Sequence, residues 1–180
     1  MNNFFTKFPE INLRQVILRE MKITDVEAFY EYITDKNIAK YVPDDEVPSD
    51  IIAAQNELLY WSNLFKYKTS IYWAIADKKN NKMIGSCGFN YWNKQQGRLE
   101  LSYELSYKFW GKGIATKSVI AITDLAFKKM NARRIQATVA VDNERSIKLL
   151  EACKYKREGT LKNYFNLHGV IKDAYMYAKI

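Results

Sequence analysis

The sequence predicts an α+β fold, with a mixed, mostly antiparallel sheet flanked by helices. Three observations carry this. Over residues 99–107, Leu99, Leu101, Tyr103, Leu105 and Tyr107 share one parity, and Glu100, Ser102, Glu104 and Ser106 the other. A period of two marks a strand with one apolar face. Gly111-Lys112-Gly113 follows, and then Ala115, Val119, Ile122 and Ala126 recur at helical spacing. Finally, the strands up to residue 107 are joined by short turns, which makes an antiparallel meander. The next strand is reached through a helix and is expected to run parallel to the 99–107 strand in a right-handed crossover.

In order along the chain, residues 16–19 read as a short strand. Thr24-Asp25-Val26-Glu27 has the form of a capping box, in which the Thr24 hydroxyl bonds the third helical N–H and Glu27 reaches back. Val26, Phe29, Tyr30 and Ile33 then make an apolar helical stripe. Residues 34–48 form a loop rich in Asp and Pro that carries Tyr41. A second helix starts near Ser49-Asp50, with Ile51, Ala54, Leu58, Trp61 and Phe65 on one face, a pattern that fits core packing. Residues 71–76 are a strand, 77–81 a polar hairpin turn and 82–91 the next strand. Gly85 and Gly88 inside it signal a bulge or the close approach of another backbone. Residues 93–97 turn the chain into the 99–107 strand. After the helix over 115–127, Lys128, Lys129 and Asn131 suit a helix C-terminus. Residues 134–141 form a strand, and Asp142-Asn143 cap a further helix that buries Ile147, Leu150 and Cys153. Residues 155–159 are a strand or turn, Gly169 lies in a loop, and residues 172–180 form the last strand.

The 180 residues fit one domain over 1–180, and 48% apolar content supports a core. No apolar run is long enough for a transmembrane helix, and the N-terminal segment lacks a signal pattern, so a cytoplasmic protein with no membrane contact is expected. Cys87 and Cys153 have no Cys or His at ligand spacing, and His168 is the only histidine. Two buried thiols are expected, with no metal and no histidine triad. The net charge of +8 is spread over scattered lysines, densest at Lys78-Lys79 and Lys128-Lys129. A solvated basic surface accounts for it, with some allowance for a polyanionic ligand, and nucleic acid is not expected as a direct ligand. The glycine turn does point to an anion. The first N–H groups of the helix behind it lack partners, and the helix dipole favours a phosphate there.

Taken together, the glycine turn, Asn143-x-x-Ser146 and Glu158-Gly159 in this order of elements resemble the GNAT acetyltransferases. Within them, the resemblance is to the bacterial ribosomal-protein N-terminal (alanine/serine) acetyltransferases. It covers nearly the whole chain. It includes Leu18-Arg19, Asp25, Glu100, Tyr103-x-Leu105, Trp110-Gly111-Lys112-Gly113-Ile114-Ala115-Thr116, Arg134-Ile135, Leu150-Glu151 and Asp173. The superfamily turn runs Gln/Arg-x-x-Gly-x-Gly/Ala. Here Trp110 departs from the first position, and Gly113 and Ala115 keep the later ones. The resemblance implies an acyl-CoA N-acyltransferase fold whose sheet splays at residues 105–107, where strand backbone pairs with the pantetheine arm of acetyl-CoA. That co-substrate would be bound by Leu105, Tyr107, Trp110, Gly111, Lys112, Gly113, Ile114, Ala115, Thr116 and Asn143. Gly111 and Gly113 also suit an ordinary turn, and Lys112 or Lys117 could add charge.

The reaction so implied moves an acetyl group from a thioester to a primary amine by direct attack in a ternary complex. The attacking amine must be neutral, so a carboxylate is needed to take its proton, directly or through water. Glu100 and Glu104 are the only acids on the strand; Glu100 matches the family's glutamate, and both would equally suit a salt bridge or an open sheet face. The family's oxyanion donor is a backbone N–H near Leu105. Ser146 matches a serine proposed to donate to the coenzyme thiolate, and Leu150 stands where some relatives carry a tyrosine. Ser146 and Asn143 also suit helix capping. Tyr41, Trp92 and Tyr164, with Trp61 and Phe165, fall in the family's acceptor region, core packing being their alternative. The expected acceptor is the N-terminal α-amine of a protein; a small-molecule amine (antibiotic, amino acid or polyamine) is the alternative. A polyamine is disfavoured by the +8 charge unless the cleft is acidic. A nucleic-acid module and a coenzyme-binding regulator without catalysis are the remaining readings. A monomer or homodimer is expected.

Overall fold

The computed structural model describes residues 4–180. Its elements run β1 (Ile11–Asn12), β2 (Val16–Arg19), α1 (Val26–Ile33), α2 (Lys36–Ala39), α3 (Ile51–Lys66), β3 (Ile71–Asp77), β4 (Met83–Asn93), β5 (Arg98–Leu105), α4 (Ile114–Lys129), β6 (Arg134–Ala140), α5 (Glu144–Ala152), β7 (Lys156–Leu167) and β8 (Val170–Lys179). The strands form one sheet in the order β1-β2-β3-β4-β5-β6-β8-β7. Every pairing is antiparallel except β5 with β6, which is parallel, as a crossover through α4 requires. The architecture is the expected α+β one.

Strand alternation sorts the core into two layers. Leu99, Leu101 and Leu105 of β5 join Ile71, Trp73 and Ile75 of β3 against Ile114, Val119, Ile122 and Ala126 of α4. On the opposite face Tyr72 and Ala74 meet Phe29, Tyr32 and Ile33 of α1 and Ala54 and Leu58 of α3. Helix α3 starts where its sequence predicts, and there the Asp50 carboxylate accepts from the N–H groups of Ile52 (2.9 Å) and Ala53 (2.8 Å).

The structure departs from the sequence reading at the start of α1. The helix begins at Val26 after a 3-10 turn, and no Thr24–Glu27 capping box forms. Asp25 has a stronger partner. Its carboxylate accepts two N–H groups of the buried Arg19 guanidinium, at 2.7 and 2.8 Å, and the Lys22 N–H at 2.9 Å. Arg19 donates its remaining N–H groups to Glu20 O, Asn81 Oδ1 and Asn81 O. All five donors are satisfied, so a buried cation ties β2, α1 and the β3–β4 turn together. The loop over 34–48 contains α2 and a further 3-10 turn, Asp44–Glu46. The strand or turn read at 155–159 is the start of a longer strand, and the loop expected at Gly169 is its hairpin turn. This strand, β7, makes a long hairpin with β8 around His168-Gly169, both at positive φ (54° and 76°). Among the described residues no helix is long and apolar enough to cross a membrane.

Gly88 shows close backbone approach. A Cβ there would stand 2.4 Å from the Tyr72 ring and 2.6 Å from Ile71 O. Gly88→Ala is therefore expected to destabilise the fold by ~1–3 kcal/mol, read from the midpoint of urea unfolding.

Candidate active site

The parallel pairing of β5 and β6 is short. It joins Arg98 to Arg134, Leu99 to Ile135 and Glu100 to Gln136, and then stops. Beyond it β5 continues on β4 as far as Leu105, while β6 continues on β8 as far as Ala140. The sheet thus opens into a wedge that starts after Glu100, earlier than the expected 105–107. A β-bulge explains the position. The β4–β5 register shifts between Phe89 and Tyr91, opposite Leu101 and Glu100. A bulge bends its strand and sharpens its twist, which carries β5 away from β6 at that level.

The wedge exposes main chain. Ser106 N–H donates to Ile84 O at 2.8 Å, so alternation directs the peptide groups of Glu104 and Ser102 at β4. Those of Tyr103 and Leu105 face the opening, while the Leu101 N–H is still spent on Gln136 of β6, completing the last parallel pair. The Leu105 carbonyl confirms this direction, since it accepts the Trp110 indole N–H at 2.7 Å.

A cavity of about 940 Å³ occupies the wedge. One side is the turn into α4. Gly111 (φ 73°) and Gly113 (φ 69°) adopt left-handed conformations, and a Cβ on either would meet nothing within 4 Å. The glycines serve the backbone turn, and the space before them is open. Gly113 caps α4, whose first turn carries no acid. Its free N–H groups therefore remain suited to an anion. Trp110 lies under the Arg145 guanidinium, 4.5 Å from the ring centroid, and both line the cavity. Tyr103 and Ser146 share this side, their hydroxyl oxygens 2.7 Å apart. Asn143 caps α5 by accepting the Ser146 N–H at 3.2 Å, so Ser146 itself is not the cap.

The other side is acidic, lined by Asp45, Glu46, Glu100 and Glu104. The Glu104 carboxylate accepts hydroxyls from Ser86 (2.8 Å), Ser102 (3.1 Å) and Tyr72 (3.4 Å). Tyr32 donates in turn to Ser86 at 3.0 Å. Burial pushes the Glu104 carboxyl above the ordinary carboxylate range, the three hydroxyls pull it back, and nearby Glu46 adds to the rise. Glu46 is likewise raised, by burial first and then by Asp45 and Glu57. The hairpin tip and the loop after α2 close the cavity's end. His168 faces Asp44 and meets Ala39 O at 3.1 Å, and the Tyr41 hydroxyl donates to Asp142 O at 3.3 Å.

With this geometry in view, the sequence profile described as Acetyltransferase (GNAT) domain matches residues 15–156. The chain belongs to the GNAT acetyltransferases. An uncharacterized N-acetyltransferase, p20, from Bacillus licheniformis is 32% identical over 165 residues, 91% of this chain and 92% of its own length. The structure of ribosomal-protein-S5-alanine acetyltransferase from Vibrio fischeri matches with a TM-score of 0.86 at 26% identity, covering 96% of each chain. A microcin C7 self-immunity acetyltransferase solved with acetyl-CoA and AMP shares the fold, with a TM-score of 0.83 at 22% identity over 93% of each chain.

Most residues singled out in the sequence meet at the wedge of this GNAT enzyme. Glu100, Glu104, Leu105, Trp110, Gly111, Gly113, Ile114, Ala115, Thr116, Asn143, Ser146, Tyr41 and Tyr164 all line the cavity. Trp61, which packs on Tyr72, and the exposed Lys117 are not brought to it, and neither are three others. Trp92 belongs to the α4 face, packed on Phe4, Phe5 and Lys94. The bulge accounts for this: the extra residue Asn90 flips the parity of everything after it, and Asn90 itself lines the cavity. Tyr107 leaves the strand for a 3-10 turn and is exposed. Lys112 turns back, with its ammonium donating to Lys108 O and lying over the Phe109 ring. The sequence reading did not select Tyr103, Glu46, Ser102, Arg145 or the Ser86–Tyr72–Tyr32 hydroxyls as site residues. Tyr103 and Ser102 stood in the strand pattern already quoted, but nothing in sequence joined Tyr103 to Ser146.

The raised Glu104 carboxyl has a consequence for stability. A carboxyl with a folded pKa above its unfolded one favours folding fully below the unfolded value, and loses that contribution as pH rises through the folded one. Ionised Glu104 therefore costs stability at neutral pH. Glu104→Gln is expected to raise Tm at pH 7 and to lose this advantage below about pH 4.5, the ordinary glutamate value, in thermal melts across pH.

Proposed function

We propose that this GNAT enzyme transfers the acetyl group of acetyl-CoA to a primary amine by direct attack in a ternary complex. The first acceptor in this reading is the N-terminal α-amine of a protein. One observation carries the proposal: the exposed main-chain edge of Tyr103 and Leu105 runs toward the open, acid-free N-terminus of α4. An extended amide-bearing arm ending in a pyrophosphate fits that pair of features. The N–H groups of residues 111–116 would hold the phosphates, and Arg145 on Trp110 would add a cation at the rim. Acetyl-CoA would supply the acetyl group as a thioester.

The chain's own groups then divide the work. Glu104 takes the proton from the incoming ammonium. A carboxyl raised above its ordinary range is a better match to that task at neutral pH than a solvated one. Glu100, also on the cavity wall, is placed to orient the amine or a bridging water. The Leu105 N–H, on the open side of β5, serves the oxyanion as the amine attacks the carbonyl carbon. Ser146 donates to the sulfur as the carbon–sulfur bond breaks.

The alanine acetyltransferase from Vibrio fischeri supports a protein N-terminus as acceptor. A small cationic amine is the second reading, favoured by the wall of Asp45, Glu46, Glu100 and Glu104. The cavity's local charge is acidic on the acceptor side despite the net +8, so the objection to a polyamine falls.

Thiol release from acetyl-CoA with peptides beginning in Ala or Ser, set beside a panel of polyamines, amino acids and aminoglycosides, separates these readings. Turnover with the Ala or Ser peptides is expected. Gly113→Glu puts a carboxylate before the α4 N-terminus and is expected to weaken acetyl-CoA binding at least tenfold in calorimetry, with the fold retained. Unchanged affinity would refute the phosphate seat.

A further inference from the structure

We infer that Tyr103 is a positioning residue, whose phenol aims the Ser146 hydroxyl at the sulfur of the bound thioester. The inference rests on the reading above that Ser146 meets that sulfur. Tyr103 sits on the apolar parity of β5, where a tyrosine's packing needs no hydroxyl, yet its oxygen lies 2.7 Å from Ser146 Oγ across 43 residues of sequence. The contact closes the wedge's α5 side, and both residues line the cavity.

The direction of this hydrogen bond follows from chemistry. A phenol is the stronger donor of the pair, and conjugation makes its oxygen the weaker acceptor. Burial pushes the Tyr103 phenol further above its ordinary value, so it stays protonated at any working pH. The phenol's other acceptor in reach, the Ser146 carbonyl, is farther away at 3.4 Å, so Tyr103 donates to the nearer Ser146 Oγ. The serine has one proton of its own, and with the phenol filling one side of Oγ, that proton is directed away from Tyr103. The main-chain capping role is taken by Asn143, which accepts the Ser146 N–H. Without the phenol, a helix-start serine is free to turn its hydroxyl back onto a main-chain carbonyl.

The same chemistry limits what Ser146 does. When the carbon–sulfur bond breaks, its electron pair goes to sulfur. A thiol has an intrinsic pKa of ~8.5, far below that of a serine hydroxyl, so no proton passes from Ser146. The thiolate leaves hydrogen-bonded to Ser146 and takes its proton from water. Tyr103 and Ser146 thus act as one oriented donor, not as a proton relay.

Free coenzyme A, which carries the same thiol, is the probe. Its thiolate absorbance is titrated in the presence of saturating protein and corrected for coenzyme-free protein. The protein's own thiols stay silent in that range, because burial raises Cys153 to about 11 and Cys87 beyond it. The bound thiol is expected to titrate below the free one. Ser146→Ala should raise its midpoint by roughly 0.5–1 on the pH scale. Tyr103→Phe keeps the ring in place and should raise the midpoint by a comparable amount, with coenzyme affinity in calorimetry within about twofold of wild type. The double variant should match Ser146→Ala alone. A midpoint that moves in Ser146→Ala but not in Tyr103→Phe overturns the role of Tyr103 and spares that of Ser146. A midpoint unmoved by Ser146→Ala overturns both. So does a failure of coenzyme A to bind, which also removes the coenzyme reading itself.

Discussion

Three residue pairs of parallel sheet hold β5 to β6, and the rest of the molecule depends on where that pairing ends. Each strand keeps its outer partner, so the sheet stays continuous as it opens. The opening converts buried ladder groups into an accessible main-chain edge, and such groups call for a partner. The β4 bulge sets the level of the opening, because it lies opposite the last paired residue. Trp110 takes one of the freed groups, the Leu105 carbonyl, and stands between the two core layers.

Because strand side chains alternate, one strand equips both faces of the wedge. Tyr103 reaches Ser146 on the α4–α5 side, while Glu104 enters the hydroxyl cluster of Ser86, Ser102 and Tyr72 on the α1–α3 side. The cavity is consequently polarised, with Arg145 and Lys148 on the α5 rim and four acids opposite. Such a field suits an anionic donor arriving from one face and a cationic acceptor from the other. The chain's net charge does not describe it.

How much of this the sequence shows depends on where each signal lives. Local patterns were legible: β2, the start of α3 near Asp50, the glycine turn before α4 and the Asn143 cap all stand where the residues place them. Strand β7 was legible only at its start, because it is a sheet edge, exposed on nearly every residue, and has no alternation to read. The Thr24 box failed because a capping hydroxyl is a weak bond, and Asp25 had a guanidinium to accept from instead. Trp92 was misplaced by one inserted residue, since a bulge reverses parity without marking itself in composition. The Glu104 cluster draws on β3, β4, β5 and α1, so its members are brought together only by register. The family resemblance supplied Ser146 but not its partner, because a contact across 43 residues leaves no local trace.

The central claim is that the open edge of β5 is the seat of the acetyl donor's extended arm. Residue-resolved amide hydrogen exchange at Tyr103 and Leu105, with and without acetyl-CoA, tests it most directly. Marked slowing at these two amides on adding acetyl-CoA, with Leu101 already protected by β6 and Ser102 and Glu104 by β4, is the expected result. Exchange at Tyr103 and Leu105 that acetyl-CoA leaves unchanged would contradict it.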